Sequence, residues 1–314
     1  MNYTYINGQI KVIEENILDK NDFLKLMKVP WNEFLKTLVD LGYGNAQDSL
    51  EKIINNELNG IKNFIDEVAP KKEYTDLFFL VNDCVNIKYL YKIKIFDLRD
   101  TNNFLDRGNF IEADLRAAIF ENDYSAFNKD YNKLLVDINN KVMNITNPRV
   151  LSGIIDNSIY NYILRKIRLS FNEPLDAYFK TLIDFTNILS FVRISNLNWE
   201  YSDNKEMFIS GGNIPLSKIK TLFTLSNDEV LRSLNIYYNE ELSKILRDFY
   251  KSNDLNILEM KLDRFQIKLM KEYKNDTFGI GIIMYYYLKK VAEAKNIRHI
   301  YADPEVDIDN LLEY

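Results

Sequence analysis

An acid, an asparagine three residues later and an isoleucine directly after it occur three times in this chain: Asp83-x-x-Asn86-Ile87, Asp184-x-x-Asn187-Ile188 and Glu293-x-x-Asn296-Ile297. The copies start 101 and 109 residues apart. Each falls late in a stretch whose apolar residues recur at steps of three and four, the spacing of one helix face. A motif this short is weak alone. Three copies at nearly even spacing, in the same place within a helical pattern, predict one helical unit used three times. The last copy lies in residues 276–301, which read as one long helix.

The rest of the chain agrees with long helices. Only 10 Gly and 6 Pro in 314 residues leave few turns, which disfavours many short strands. A chain of this length exceeds what one core serves, so several subdomains are expected. Turn-rich stretches at 97–109 and 197–213 interrupt the periodicity. They divide the chain into repeats at 1–105, 106–200 and 201–314, all of them helical. Asn21-Asp22 reads as a helix cap, Thr75 as the cap of the first signature helix, and residues 275–277 as the cap region of the last. Asn147-Pro148 and Asn172-Glu173-Pro174 read as helix starts. Within 197–213 a loop at Gly211-Gly212 and a short strand at 207–210 are expected. NDEVLRSLN (227–235) resembles WNEFLKTLV (31–39).

Charge and hydropathy argue against a nucleic-acid partner and against a membrane span. The formal net charge is −6, whereas nucleic-acid binding calls for a clustered basic face. The longest apolar run, 278–288, spans about 16 Å as a helix, against a hydrocarbon core of about 30 Å. No membrane crossing is expected, and the opening MNYTYINGQI gives no sign of a leader peptide. Cys84 is the only cysteine, which fits a reducing compartment.

The residue inventory argues against an enzyme. There is no phosphate-binding P-loop; Gly279 and Gly281 follow no strand and lack a third glycine, and read as close helix packing. A single histidine, His299, rules out multi-histidine metal sites, and Asn296 stands where a Glu-x-x-His pair would need its acid. Cys84 lies on an apolar stripe and is expected to be buried and inert. No cofactor is expected. Among Tyr285, Tyr286 and Tyr287 at least one should be core.

At i and i+3 the acid and the asparagine of each signature share a helix face. Either they line an interface, or the asparagine bonds a neighbouring backbone group and fixes a bend or a helix crossing in each repeat. In the second case Asn187→Ala should cost about 1–3 kcal/mol. Arg193, Arg298, Lys88 and Lys92 are candidates to meet acidic groups on a partner, or else plain surface charge.

Three segments carry a family resemblance. YFKTLIDFTNILSFVR (178–193) holds Asp184, Asn187, Ile188 and Arg193; YLKKVAEAKNIRHI (287–300) holds Glu293, Asn296, Ile297 and Arg298; FLKTLVDLGY (34–43) ends in Gly42-Tyr43. In order and spacing, over nearly the whole chain, they resemble the C subunit of the V-type (V/A-type) ATPases and ATP synthases, the counterpart of the eukaryotic d subunit. Two departures stand out. GQIKVIEENIL occupies the start, where the family often has an Arg-rich segment, and Ala302 stands where the middle copy has Arg193.

The resemblance implies an all-α funnel of three similar helical subdomains in a pseudo-three-fold arrangement. It implies a non-catalytic rotor part on the cytoplasmic face of the membrane. The implied partners are the central shaft, made of the D and F subunits, and the membrane proteolipid (c/K) ring, with the a/I subunit as a further neighbour. A helical-repeat scaffold or adaptor that binds another protein shares the repeats and is the alternative.

Overall fold

The computed structural model describes residues 2–314. Among them are fourteen α-helices and no strand. In chain order they are α1 (Tyr3–Ile13), α2 (Lys20–Lys28), α3 (Phe34–Asp40), α4 (Leu50–Val68), α5 (Lys72–Phe96), α6 (Glu112–Arg116), α7 (Lys129–Val142), α8 (Pro148–Ser170), α9 (Glu173–Asn196), α10 (Leu216–Leu222), α11 (Asn227–Leu234), α12 (Glu241–Ser252), α13 (Leu255–Met270) and α14 (Gly281–Ala302). The chain is all-α, as its periodicity and its scarcity of Gly and Pro predict.

Local chemistry sets the helix starts. Asn147 and Asn172 cap α8 and α9 by accepting the backbone N–H groups of Arg149 (2.9 Å) and Leu175 (3.1 Å), with proline in the first turn of each. A side-chain oxygen here satisfies an amide that has no partner within the helix.

Four sequence expectations are corrected. The cap of α2 is Asp19, not Asn21-Asp22: Asp19 accepts the amides of Asn21 (2.7 Å) and Asp22 (3.0 Å), and Asp22 accepts the Asp19 amide in return (3.0 Å), a capping box. Thr75 does not cap α5, which starts at Lys72; its hydroxyl donates to the Lys72 carbonyl inside the first turn (3.0 Å). The last signature helix starts at Gly281 rather than near 276, after a 3₁₀ turn at Lys271–Tyr273 and a loop in which Asp276 accepts the Gly281 amide (3.1 Å). Residues 207–210 form no strand; a 3₁₀ turn, Lys205–Met207, leads into extended backbone at Phe208.

The described residues divide into two compact units. One joins the chain up to Thr75 with Asp263–Tyr314. Its core holds Phe23, Leu26, Phe34, Leu38, Ile53 and Ile54 together with Ile297 and Ile300. Here α14 packs against α1, α2 and α4. This helix is apolar nearly all round in its first half, and Tyr285, Tyr286 and Tyr287 are all buried, as a helix enclosed by others must be.

The second unit is Asp76–Leu262. In it α7 packs on α8, α8 on α9, and α9 on α10, while α11 pairs with α12. Phe78, Phe79, Tyr178, Phe179 and Tyr160 form a chain of edge-to-face rings, the geometry that aromatic quadrupoles favour.

Candidate functional site

The middle signature shows what its residues do. Asp184 and Asn187 are fully buried on one face of α9. The Asp184 carboxylate accepts the backbone amides of Asn213 (2.9 Å) and Ile214 (3.0 Å) and the hydroxyl of Tyr238. Asn187 accepts the Ile209 amide at its Oδ1 and donates its Nδ2 to the Ile209 carbonyl, both at 2.8 Å. One amide side chain thus offers Ile209 both halves of what a neighbouring strand would offer. Ile209 thus has both backbone groups satisfied with no partner strand.

The first copy repeats the geometry on α5. Asp83 accepts the amides of Asn109 (2.8 Å) and Phe110 (3.0 Å). Asn86 accepts the Leu105 amide (2.8 Å) and donates to the Leu105 carbonyl (2.9 Å). Both side chains are fully buried. In both copies a glycine precedes the gripped amides, and an added Cβ would stand 2.2 Å from the Asp83 carboxylate at Gly108 and 2.0 Å from that of Asp184 at Gly212. Any larger residue would push the clamp open.

In the third copy, on α14, Asn296 pairs with both backbone groups of Leu312 (2.7 and 2.9 Å). Glu293, fully buried, accepts the Leu18 amide (2.6 Å), the Tyr43 hydroxyl and the Lys290 ammonium. Lys290 also donates to the Tyr43 oxygen (3.1 Å) and pairs with Glu57 (3.0 Å). Its buried charge is therefore compensated on several sides, which burial requires.

Each carboxylate thus holds the chain just ahead of the next helix: Phe110 before α6, Ile214 before α10, and Leu18 before α2. Each asparagine holds a backbone segment that follows its own helix.

The electrostatics match this role. Burial pushes the Asp184 carboxyl up to about 6, against the pull of the Tyr238 hydroxyl and the two amides. Tyr238 and Tyr43 are pushed up in turn, by burial first and then by the carboxylates they face. Burial also pushes up the Cys84 thiol, which lies 3.2 Å from Asp156; a thiol of that kind is unreactive.

The remaining candidates sit outside these clamps. Arg193 pairs with Glu259 (3.1 Å), and Arg298 makes a two-point contact with Glu51 (2.8 Å each). Lys88 pairs with Asp156 (2.7 Å). Lys92 is half-buried, and burial and then the Lys88 charge lower its pKa. Among the described residues no three or more His, Cys, Asp or Glu side chains gather as a metal site would require. None of the helices is long and apolar enough to cross a membrane.

Several participants escaped the sequence reading. Leu105, Ile209 and Leu312 contribute only backbone, so their side chains carry no signal. Gly108-Asn109 and Gly212-Asn213 did carry one: a Gly-Asn pair whose asparagine stands 26 and 29 residues after the signature acid. Tyr43 and Tyr238 follow the two matching segments 31–39 and 227–235, and both hydroxyls reach a signature carboxylate.

Such a protein is defined by a helical unit whose buried acid and asparagine fasten backbone, with no gathered metal ligands among the described residues. Residues 6–302 match the family model of the ATP synthase (C/AC39) subunit, and the chain belongs to that family. It is similar to the A-type ATP synthase C subunit of Thermococcus onnurineus (strain NA1), 23% identical over 321 residues, covering 95% of this chain and 85% of the relative. It is likewise similar to that of Methanococcoides burtonii, 22% identical over 339 residues with 98% and 92% covered. For the Pyrococcus abyssi protein the figures are 20% over 320 residues, with 95% and 85% covered.

Proposed function

We propose that this chain is the non-catalytic central-stalk component of a rotary V/A-type ATPase. In this reading it joins the soluble shaft of the D and F subunits to the membrane proteolipid (c/K) ring, on the cytoplasmic side and beside the a/I subunit, and passes torque between ATP chemistry and ion flow. The observation that carries the reading is the family match over 6–302, with relatives named as the C subunit of A-type ATP synthases. In the same proposal the repeats 1–105, 106–200 and 201–314 form three subdomains of a pseudo-three-fold funnel.

The clamps support a mechanical part. A torque coupler must not shear between repeats, and close-packed interiors transmit strain. With the repeats so divided, Asp83 and Asp184 each grip the repeat that follows, and Glu293 grips the first. Asp83, Asn86, Asp184, Asn187, Glu293 and Asn296 then act as fasteners, and Arg193 and Arg298 as surface charge within reach of partners.

The test is reconstitution. The chain is mixed with purified D–F shaft and detergent-solubilised proteolipid ring, separately and together. The expected result is binding to each, with shaft and ring bridged only when the chain is present. A folded chain that binds neither overturns the reading in favour of a scaffold for some other protein.

A further inference from the structure

The tip where α8 turns into α9 is built against the usual rules for a helix end. Phe171 occupies the left-handed position that closes α8 (φ 52°, ψ 40°), its amide bonded to the Ile167 carbonyl (2.9 Å). Glycine is the residue this position favours, because a Cβ is crowded there. Here the site carries a phenylalanine that is 92% exposed, beside Leu169 at 75%. Conformational cost and apolar exposure are both taken on at a single exposed point.

The surroundings are basic. Lys133, Arg165, Lys166 and Leu169 line one groove of about 870 Å³ between α7 and α8. Arg168 is one turn from Arg165 and also exposed. Of the acids along the groove, Lys166 holds Asp130 and Lys141 holds Asp137; Glu206 lines it as well, and Glu173 opens α9. Arg165 and Lys166 both stand over the Tyr162 ring, 5.6 and 5.5 Å from its centroid. In a chain of net charge −6, such a cluster runs against the average.

We propose that this tip seats on an anionic phospholipid surface, with Phe171 and Leu169 entering the headgroup boundary and Lys133, Arg165 and Arg168 meeting lipid phosphates. Exposed aromatic and aliphatic side chains inside a basic collar are the chemistry that interfacial binding uses. A protein partner would need a pocket to bury the phenylalanine and a shape complementary to the turn. A bilayer needs neither. The inference goes beyond the rotor reading and does not rest on it, because lipid vesicles contain no component of an ATPase.

The experiment is co-sedimentation of the full chain with phosphatidylcholine vesicles, with and without about 30% phosphatidylserine, at low salt. Binding is expected to the anionic vesicles only, and to weaken as salt rises. Arg165→Gln with Arg168→Gln should weaken it about thirty-fold, given the contribution of each basic residue near such a surface. Phe171→Gly should weaken it too while leaving the melting temperature unchanged or higher, since glycine suits the left-handed position. That variant separates lost contact from lost fold. No sedimentation of the wild type overturns the proposal. So does sedimentation that Phe171→Gly leaves intact, or binding to a soluble acidic peptide as tight as to vesicles, which would point to a protein partner.

Discussion

At the scale of single residues, each signature asparagine bonds both backbone groups of one residue. Asn187 satisfies a buried N–H and a buried C=O of Ile209 at once. Alanine strands both groups, and each stranded group costs about 1–3 kcal/mol. Asn187→Ala is therefore expected to lower unfolding free energy by about 3 kcal/mol, read by urea denaturation; Asp at this position cannot donate and should not rescue it. Asp184 gives a pH signature. With its folded pKa near 6 and an unfolded value near 3.9, the folded state binds the proton more tightly. Its stabilising contribution is then fully present below about pH 4 and lost as pH rises through about 6. The difference amounts to about 3 kcal/mol at pH 7. Between pH 4 and 7 the wild type should lose stability relative to Asp184→Asn, whose side chain does not titrate. Parallel pH profiles for the two proteins would show that Asp184 ionises normally.

At the scale of elements, the helices were legible because each must bury a stripe, and a stripe leaves a period in the sequence. The signature positions were legible for the same reason: a polar pair recurring inside an apolar helix face has little cause except a buried partner. What could not be read is where the partners lie. Leu105, Ile209 and Leu312 are held by their backbone, and every residue has one. Residues 207–210 look like a strand because Met207, Phe208 and Ile209 make a short apolar run; the backbone of Ile209 is instead paired by the side chain of Asn187, which no local pattern announces. The helix starts at Lys72 and Gly281 were misjudged because Thr75 and Asp276 resemble caps, yet one bonds within the helix and the other reaches five residues ahead. Two glycines test how tightly the elements close. Gly212→Ala would place a Cβ 2.0 Å from the Asp184 carboxylate, whereas at Gly60, inside α4, nothing lies within 4 Å. Gly60→Ala should stabilise by about 0.5–1 kcal/mol, and Gly212→Ala should destabilise by more than about 1 kcal/mol, both measured by thermal melts. Equal effects would mean that the Asp184 loop relaxes freely.

At the scale of the whole molecule, the third clamp differs from the other two in chain distance. Asp83 and Asp184 hold backbone 26 to 30 residues ahead, so those clamps close short loops. Glu293 holds Leu18 across a separation of 275 residues, so the unit made of both ends of the chain rests on contacts of high closure cost. Glu293 takes three donors, Leu18, Tyr43 and Lys290, as Asp184 does, but one of them is a charged ammonium, and the Leu18 carbonyl accepts the Tyr314 hydroxyl (2.8 Å). Removing one partner of a buried ion pair costs about 3–5 kcal/mol, because the remaining charge is left uncompensated. Glu57 softens that loss for Lys290 but does nothing for the Leu18 amide. Glu293→Ala is therefore expected to release the segment around Leu18 first. Amide hydrogen exchange should quicken in α2 and in the second half of α14, while α8 and α9, which belong to the other unit, keep their protection. Glu293→Gln keeps an acceptor for Leu18 or Tyr43 but loses the charge, so it should fall between the wild type and alanine. Equal loss of protection in α8 and α9 would mean that the two units unfold as one, and that the Glu293 clamp holds the entire chain rather than its ends alone.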